Sequence, residues 1–79
     1  MIFAYVLISE KDNGYYVGIT KSVEERLKRH NSGRVISTRG RKPFKLVYTE
    51  VFDSYNSARV REIEIKSYKG GNKFKELIK

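Results

Sequence analysis

Cysteine is missing from this 79-residue sequence, which excludes disulfides, thiolate metal sites and thiol catalysis. Its absence also fits an intracellular, cytoplasmic chain. No apolar run approaches the roughly 20 residues that a bilayer-spanning helix needs. The apolar opening, Met1 to Ile8, has neither the basic leader nor the small-residue cleavage site of a signal sequence, and it reads as a buried first strand. Internal repeats, linkers and low-complexity segments are absent as well. Acidic residues are scarce, nine against 17 basic, and the net charge is +8. Such a field favours a polyanionic partner, nucleic acid ahead of an anionic membrane surface. A membrane-surface role is excluded further, because no predicted helix sets a broad apolar face against a basic one. The length implies one domain over residues 1–79, with a single modest core burying roughly 60% of the surface the unfolded chain exposes.

What is present is a clear alternation of strand and helix signals. Ile2 to Ile8 is almost continuously apolar and β-prone, as in a strand buried on both faces. Asn13-Gly14 closes a charged turn and is a strong hairpin signal. Tyr15 to Thr20 follows as the second strand, with Tyr16, Gly18 and Thr20 on one face. Gly18 in a strand interior marks a place where another backbone or a ligand approaches closely. Ser22 and Glu25 form a capping-box pattern for a helix over about Val23 to His30, which Asn31-Ser32-Gly33 stops. Arg34 to Lys42 reads as a basic loop ended by Pro43. Phe44 to Phe52 is a third strand, with Leu46, Tyr48 and the aromatic ends alternating. Asp53 or Ser54 caps a helix over about Tyr55 to Tyr68, Gly70-Gly71 breaks it, and Asn72 opens a short terminal helix that returns Phe74, Leu77 and Ile78 to the core. The expected class is α+β, a small three-stranded antiparallel sheet flanked by helices in the order ββαβαα.

Several side chains carry possible chemistry. Arg26 and His30 are four apart and share a helix face, which suits a charge clamp and a proton carrier as well as a solvated face. Tyr5 and Tyr16 read as core or interface aromatics whose hydroxyls find a partner. On a helical period Glu62 falls in one stripe with Ala58 and Ile65. A carboxylate in an apolar stripe needs a cation, either a lysine or arginine in a salt bridge or a hard metal ion. Lys21, Arg34, Arg39, Arg41 and Lys42 are candidates to track phosphates. Asn72 is a helix cap or a functional group.

As an ordered set these features resemble the GIY-YIG nuclease domain, in its small stand-alone, excinuclease-subunit-like form associated with DNA repair. The first motif reads Phe3-Ala4-Tyr5 and the second Tyr16-Val17-Gly18. The helix pattern Glu25 to Gly33, then Pro43 to Tyr48, Ala58 to Glu62 with Ile65-Lys66-Ser67, and Gly71 to Phe74 with Leu77-Ile78 continue it over essentially the whole chain. Phe3, Ala4 and Val17 depart from the motif letters; the tyrosines and Gly18 are kept. The resemblance implies a metal-dependent DNA endonuclease in which Tyr5, Tyr16, Arg26, His30 and Glu62 line one pocket on the sheet's face, with Gly18 and Asn72 as additional positions. Glu62 would be the sole protein ligand of one Mg²⁺ or Mn²⁺. Arg26 would neutralise charge on the phosphate, and either Tyr5 or Tyr16 would be the base, with His30 orienting it or taking its proton. A protein partner or a homodimer would supply target choice. The alternative is a basic nucleic-acid-binding module with the same fold and no chemistry.

Overall fold

The computed structural model describes all residues, 1–79. Its elements are β1 (Ile2–Ser9), β2 (Tyr15–Thr20), α1 (Val23–Asn31), a 3₁₀ helix (Ile36–Arg41), β3 (Phe44–Phe52), α2 (Tyr55–Ser67) and α3 (Asn72–Leu77). The sheet is antiparallel with order β2-β1-β3. The most apolar strand is thus central, and Ala4 to Leu7 are essentially inaccessible. Phe3 and Thr20, Tyr5 and Gly18, and Leu7 and Tyr16 lie opposite one another. Directly opposed residues of an antiparallel pair project to one face, so these side chains share a face.

Two apolar clusters lie on the two sides of the sheet. On one side Tyr5, Leu7 and Phe44 pack with Tyr16 of β2 and with Val23 and Leu27 of α1. On the other, Val6 and Val17 pack with Ile65 of α2 and Phe74 of α3, joined by Leu77 and Ile78. The helices are thus divided between the faces, α1 on one and α2 with α3 on the other. No helix is long and apolar enough to cross a membrane.

The structure corrects four local expectations. Strand β3 does not alternate strictly: a bulge opposite Val6 and Leu7 leaves Val47 without a partner, so Val47 and Tyr48 both pack toward the α2 side. The basic loop contains the 3₁₀ helix. Only half of the capping box forms, because Ser22 Oγ accepts from Glu25 N–H at 3.3 Å while Ser22 N–H donates to Thr20 Oγ1 at 3.2 Å. Asn72 is not a cap: Gly71 holds that position, with no side-chain hydrogen bond. Ser54 is the cap of α2, its Oγ accepting from Ser57 N–H.

Candidate active site

Residue Gly18 determines where Tyr5 lies. A β-carbon there would stand 2.6 Å from the Tyr5 hydroxyl, so the phenol occupies the space that a side chain would fill and reaches across edge strand β2. Tyr5 is 1% exposed. Its hydroxyl oxygen is hydrogen-bonded to His30 Nε2 at 3.2 Å. The opposite ring nitrogen, Nδ1, lies 2.8 Å from Thr38 Oγ1. The Thr38 hydroxyl also lies 3.4 Å from the Val35 carbonyl. With its proton on that carbonyl, its oxygen accepts from His30 Nδ1–H, and in that tautomer Nε2 presents its lone pair to Tyr5.

His30 is fully buried. The Tyr16 ring meets it edge-on at 4.7 Å between centroids, and Phe44 packs at 5.6 Å. Asn31 anchors the end of α1 that carries it, donating to the Phe44 carbonyl at 3.1 Å and accepting from Phe44 N–H at 2.6 Å. Burial holds the His30 imidazole below its ordinary range, and the Arg26 guanidinium adds to the effect. Burial likewise pushes the Tyr5 hydroxyl well above its ordinary range. Tyr16 reinforces that shift and Glu62 adds to it, while Arg26 opposes both. The charges of Arg26 and Glu62 therefore both reach the Tyr5 oxygen.

Arg26 also lines a cleft of about 350 Å³ at the end of β2, with Lys21 and Arg29 beside it. Of the basic residues singled out in the sequence, Lys21 thus lies next to the Arg26 cleft. Arg34 is exposed. Arg39 is exposed and donates to the Gly33 carbonyl at 3.1 Å, and Lys42 stands over Gly33. Arg41 is turned inward to the hairpin, with Nε 2.9 Å from Asp12 Oδ2 and its guanidinium over the Phe44 ring.

Glu62 stands on α2, whose Ile65 packs on the Val6 and Val17 side of the sheet. At the open edge of β2, Tyr16 and Lys66, the ion-pair partner of Glu62, line one groove, and Tyr55 at the start of α2 lines the Arg26 cleft. The Glu62 side chain is 12% exposed, and its Oε2 pairs with Lys66 Nζ at 3.1 Å. Lys66 is itself half-exposed. No group of three or more histidines and carboxylates converges anywhere in the chain. Asn72 lies away from these residues, on a surface it shares with Lys75, Glu76 and Lys79.

Thr38, Arg29 and Asn31 were not found by sequence reasoning. Thr38 sits in a stretch whose polarity reads as loop, and Arg29 in a helix whose charges read as a solvated face. Asn31 reads only as a helix stop. No spacing rule links these residues to the site, because the fold alone brings them to it.

The model of the GIY-YIG catalytic domain matches residues 1–75. A UPF0213 protein of Haloquadratum walsbyi is 47% identical over 68 residues, covering 84% of this chain and 76% of its own. A UPF0213 protein of Staphylococcus haemolyticus is 44% identical over 75 residues, with 92% of each chain covered. The solution NMR structure of a UPF0213 protein from Bacillus halodurans is 38% identical and covers 94% of this chain and 92% of its own, with a TM-score of 0.49. The chain belongs to the GIY-YIG catalytic domain family, a nuclease superfamily.

Proposed function

We propose that this chain is a metal-dependent endonuclease that hydrolyses a DNA phosphodiester by in-line attack of water. The observation that carries the reading is the hydrogen-bonded run from Tyr5 through His30 to Thr38, with Arg26 and Glu62 both acting on the Tyr5 oxygen. Tyr5 is the better of the two tyrosines as base, because its proton has an acceptor already in place. In the reaction a water oxygen bonds to phosphorus and its proton passes to the Tyr5 oxygen. Tyr5 gives its own proton to His30 Nε2, and the 3′ oxygen leaves, taking a proton from solvent. A phenol of unperturbed pKa about 10 is a poor base alone. The shared proton with His30 and the Arg26 charge make the transfer feasible. Arg26 also faces the phosphate cleft, where it neutralises charge on the non-bridging oxygens.

Glu62 is the carboxylate that would hold Mg²⁺ or Mn²⁺. A single hard oxygen donor fits an ion that keeps several waters and a substrate phosphate oxygen, and the exposed Lys66 ammonium is free to swing off it. Such an ion, when bound, stabilises the charge of the leaving oxygen.

The second reading, a nucleic-acid-binding module without chemistry, draws on the Glu62–Lys66 pair, which satisfies the carboxylate with no metal. Plasmid and labelled branched DNA, incubated with Mg²⁺ or Mn²⁺ and with chelator, separate the two. Metal-dependent cutting by the wild type, lost in Glu62→Ala and in Arg26→Ala, is expected. Cutting that is equal in all three proteins overturns the assignment, and intact binding without cutting selects the second reading.

A further inference from the structure

The turn between α2 and α3 holds a lysine where the backbone disfavours one. Helix α2 ends at Ser67, and Gly71 N–H donates to the Tyr68 carbonyl at 2.9 Å. The two residues between them, Lys69 and Gly70, have φ of 52° and 73°. Positive φ at both central positions defines a type I′ turn, whose first position favours Asn, Asp or Gly. The chain's other non-glycine residue with positive φ is an asparagine, Asn13 at 60°, a residue type that tolerates this region. At Lys69 a long side chain with a β-carbon is held in the left-handed region instead. Strained backbone of this kind points to a use for the side chain.

Beside that side chain is a groove of about 330 Å³ along the open edge of β2. Tyr15 and Tyr16 line it from the strand, Lys66 from the helix, Lys69 from the turn and Phe74 from α3. Both tyrosines are half-buried. Glu62 pairs with Lys66, whereas Lys69 is exposed and makes no ion pair with any carboxylate of the chain.

We propose that this groove seats an unpaired nucleic-acid strand, with the Lys69 ammonium on a backbone phosphate and a base against the exposed part of Tyr15, whose ring also packs on Phe74 at 4.5 Å between centroids. Cations that follow a backbone beside aromatic rings make up the usual strand-binding surface. The volume is at the low end for a ligand site, the scale of unstacked bases rather than of a paired duplex. The proposal rests on the nuclease reading for its biological sense, since the groove leads to Tyr16 and Lys66, but binding is measurable without cleavage.

The test uses a fluorescein-labelled oligothymidine of about a dozen nucleotides, within the site size of such grooves, in EDTA so that nothing is cut. Fluorescence anisotropy across a salt series compares the wild type with Lys69→Gly and Lys69→Asn, which suit the turn. We expect both variants to bind several-fold more weakly and to reduce the salt slope by about one phosphate contact. Their Tm should be equal to or above that of the wild type. Unchanged affinity and slope in both variants overturn the proposal. Duplex DNA bound as tightly, with the same dependence on Lys69, overturns the assignment to an unpaired strand, and so does equal competition by polyglutamate. Any of these failures leaves the cleavage test with Glu62→Ala standing, and an inactive wild type leaves this result intact.

Discussion

Thr38 is the partner that can set the His30 tautomer. With its proton on the Val35 carbonyl, its oxygen accepts from Nδ1–H and leaves Nε2 to accept from Tyr5. Thr38→Val keeps the shape but leaves the buried Nδ1–H without an acceptor, a cost of about 1–3 kcal/mol. The ring then has reason to move its proton to Nε2, which ends its use as an acceptor. Cleavage should fall in kcat on the order of a hundredfold, the scale of a lost general base, with KM little changed. Thr38→Ser should restore it. Nitrogen chemical shifts of His30 read the tautomer directly, and an unchanged tautomer in Thr38→Val would refute the role. His30 also sets a pH dependence. Its pKa is held below the ordinary value of about 6.5 by burial and by Arg26, so between the folded value and about 6.5 the unfolded chain binds more protons. Stability therefore rises with pH across that window and is lost as pH falls through it. Thermal melts from pH 7 downward should show a loss that His30→Gln lacks. Asp12, held low chiefly by the Gly14 N–H, and Glu64, held low chiefly by the Tyr68 hydroxyl, act only at more acid pH. A melt series with the same slope in both proteins would assign the loss elsewhere.

Between elements, the junction of α1 with β3 is what keeps His30 in place, and one side chain makes it. Asn31 both donates to and accepts from the Phe44 backbone, joining the end of a helix to the start of a strand from 13 residues away. Asn31→Ala removes two hydrogen bonds worth about 1 kcal/mol each, so a loss of about 2 kcal/mol is expected in urea unfolding. A change below about 0.5 kcal/mol, the range of ordinary surface substitutions, would mean that packing alone holds the junction. Nothing in the sequence near Asn31 indicates this link, because both partners are backbone groups of another element. The same limit governs what else was legible. Strands β1 and β2, the hairpin and helices α1 and α2 were readable because apolar period, Asn-Gly and Ser caps are local signals. The β3 bulge was not, since a bulge is defined by the register with β1. The 3₁₀ helix was hidden by its polar residues, of which only Thr38 is buried. Glu62 was readable as an inward carboxylate, but the sheet face of its helix was not, because that depends on a crossover.

At the scale of the whole molecule, a net charge of +8 is not distributed as the sequence alone implies. Arg61 is divided between Glu50 and Glu64, Lys28 pairs with Glu24, and Arg41 is committed to Asp12 and the Tyr15 carbonyl. Those cations are partly neutralised, so the field available to a polyanion comes from the rest, including the Lys21, Arg26 and Arg29 cleft. Association with nucleic acid releases counterions in proportion to the phosphates contacted, about 0.9 per contact in the slope of log K against log salt. Lys21 and Arg41, both basic and both near β2, should therefore behave oppositely. Lys21→Ala should lower the salt slope for duplex DNA by about one contact and leave the Tm where it is, because Lys21 is exposed and makes no ion pair. Arg41→Ala should leave the slope unchanged and lower the Tm, because its side chain joins the β1–β2 turn to the end of the 3₁₀ helix and covers the Phe44 ring. Losing that tie also loosens the residues that hold Thr38 against His30, so cleavage should fall with stability in Arg41→Ala while binding persists. If Arg41→Ala instead lowers the slope at constant Tm, Arg41 leaves Asp12 to meet phosphate in the complex, and the hairpin tie exists only in the free chain.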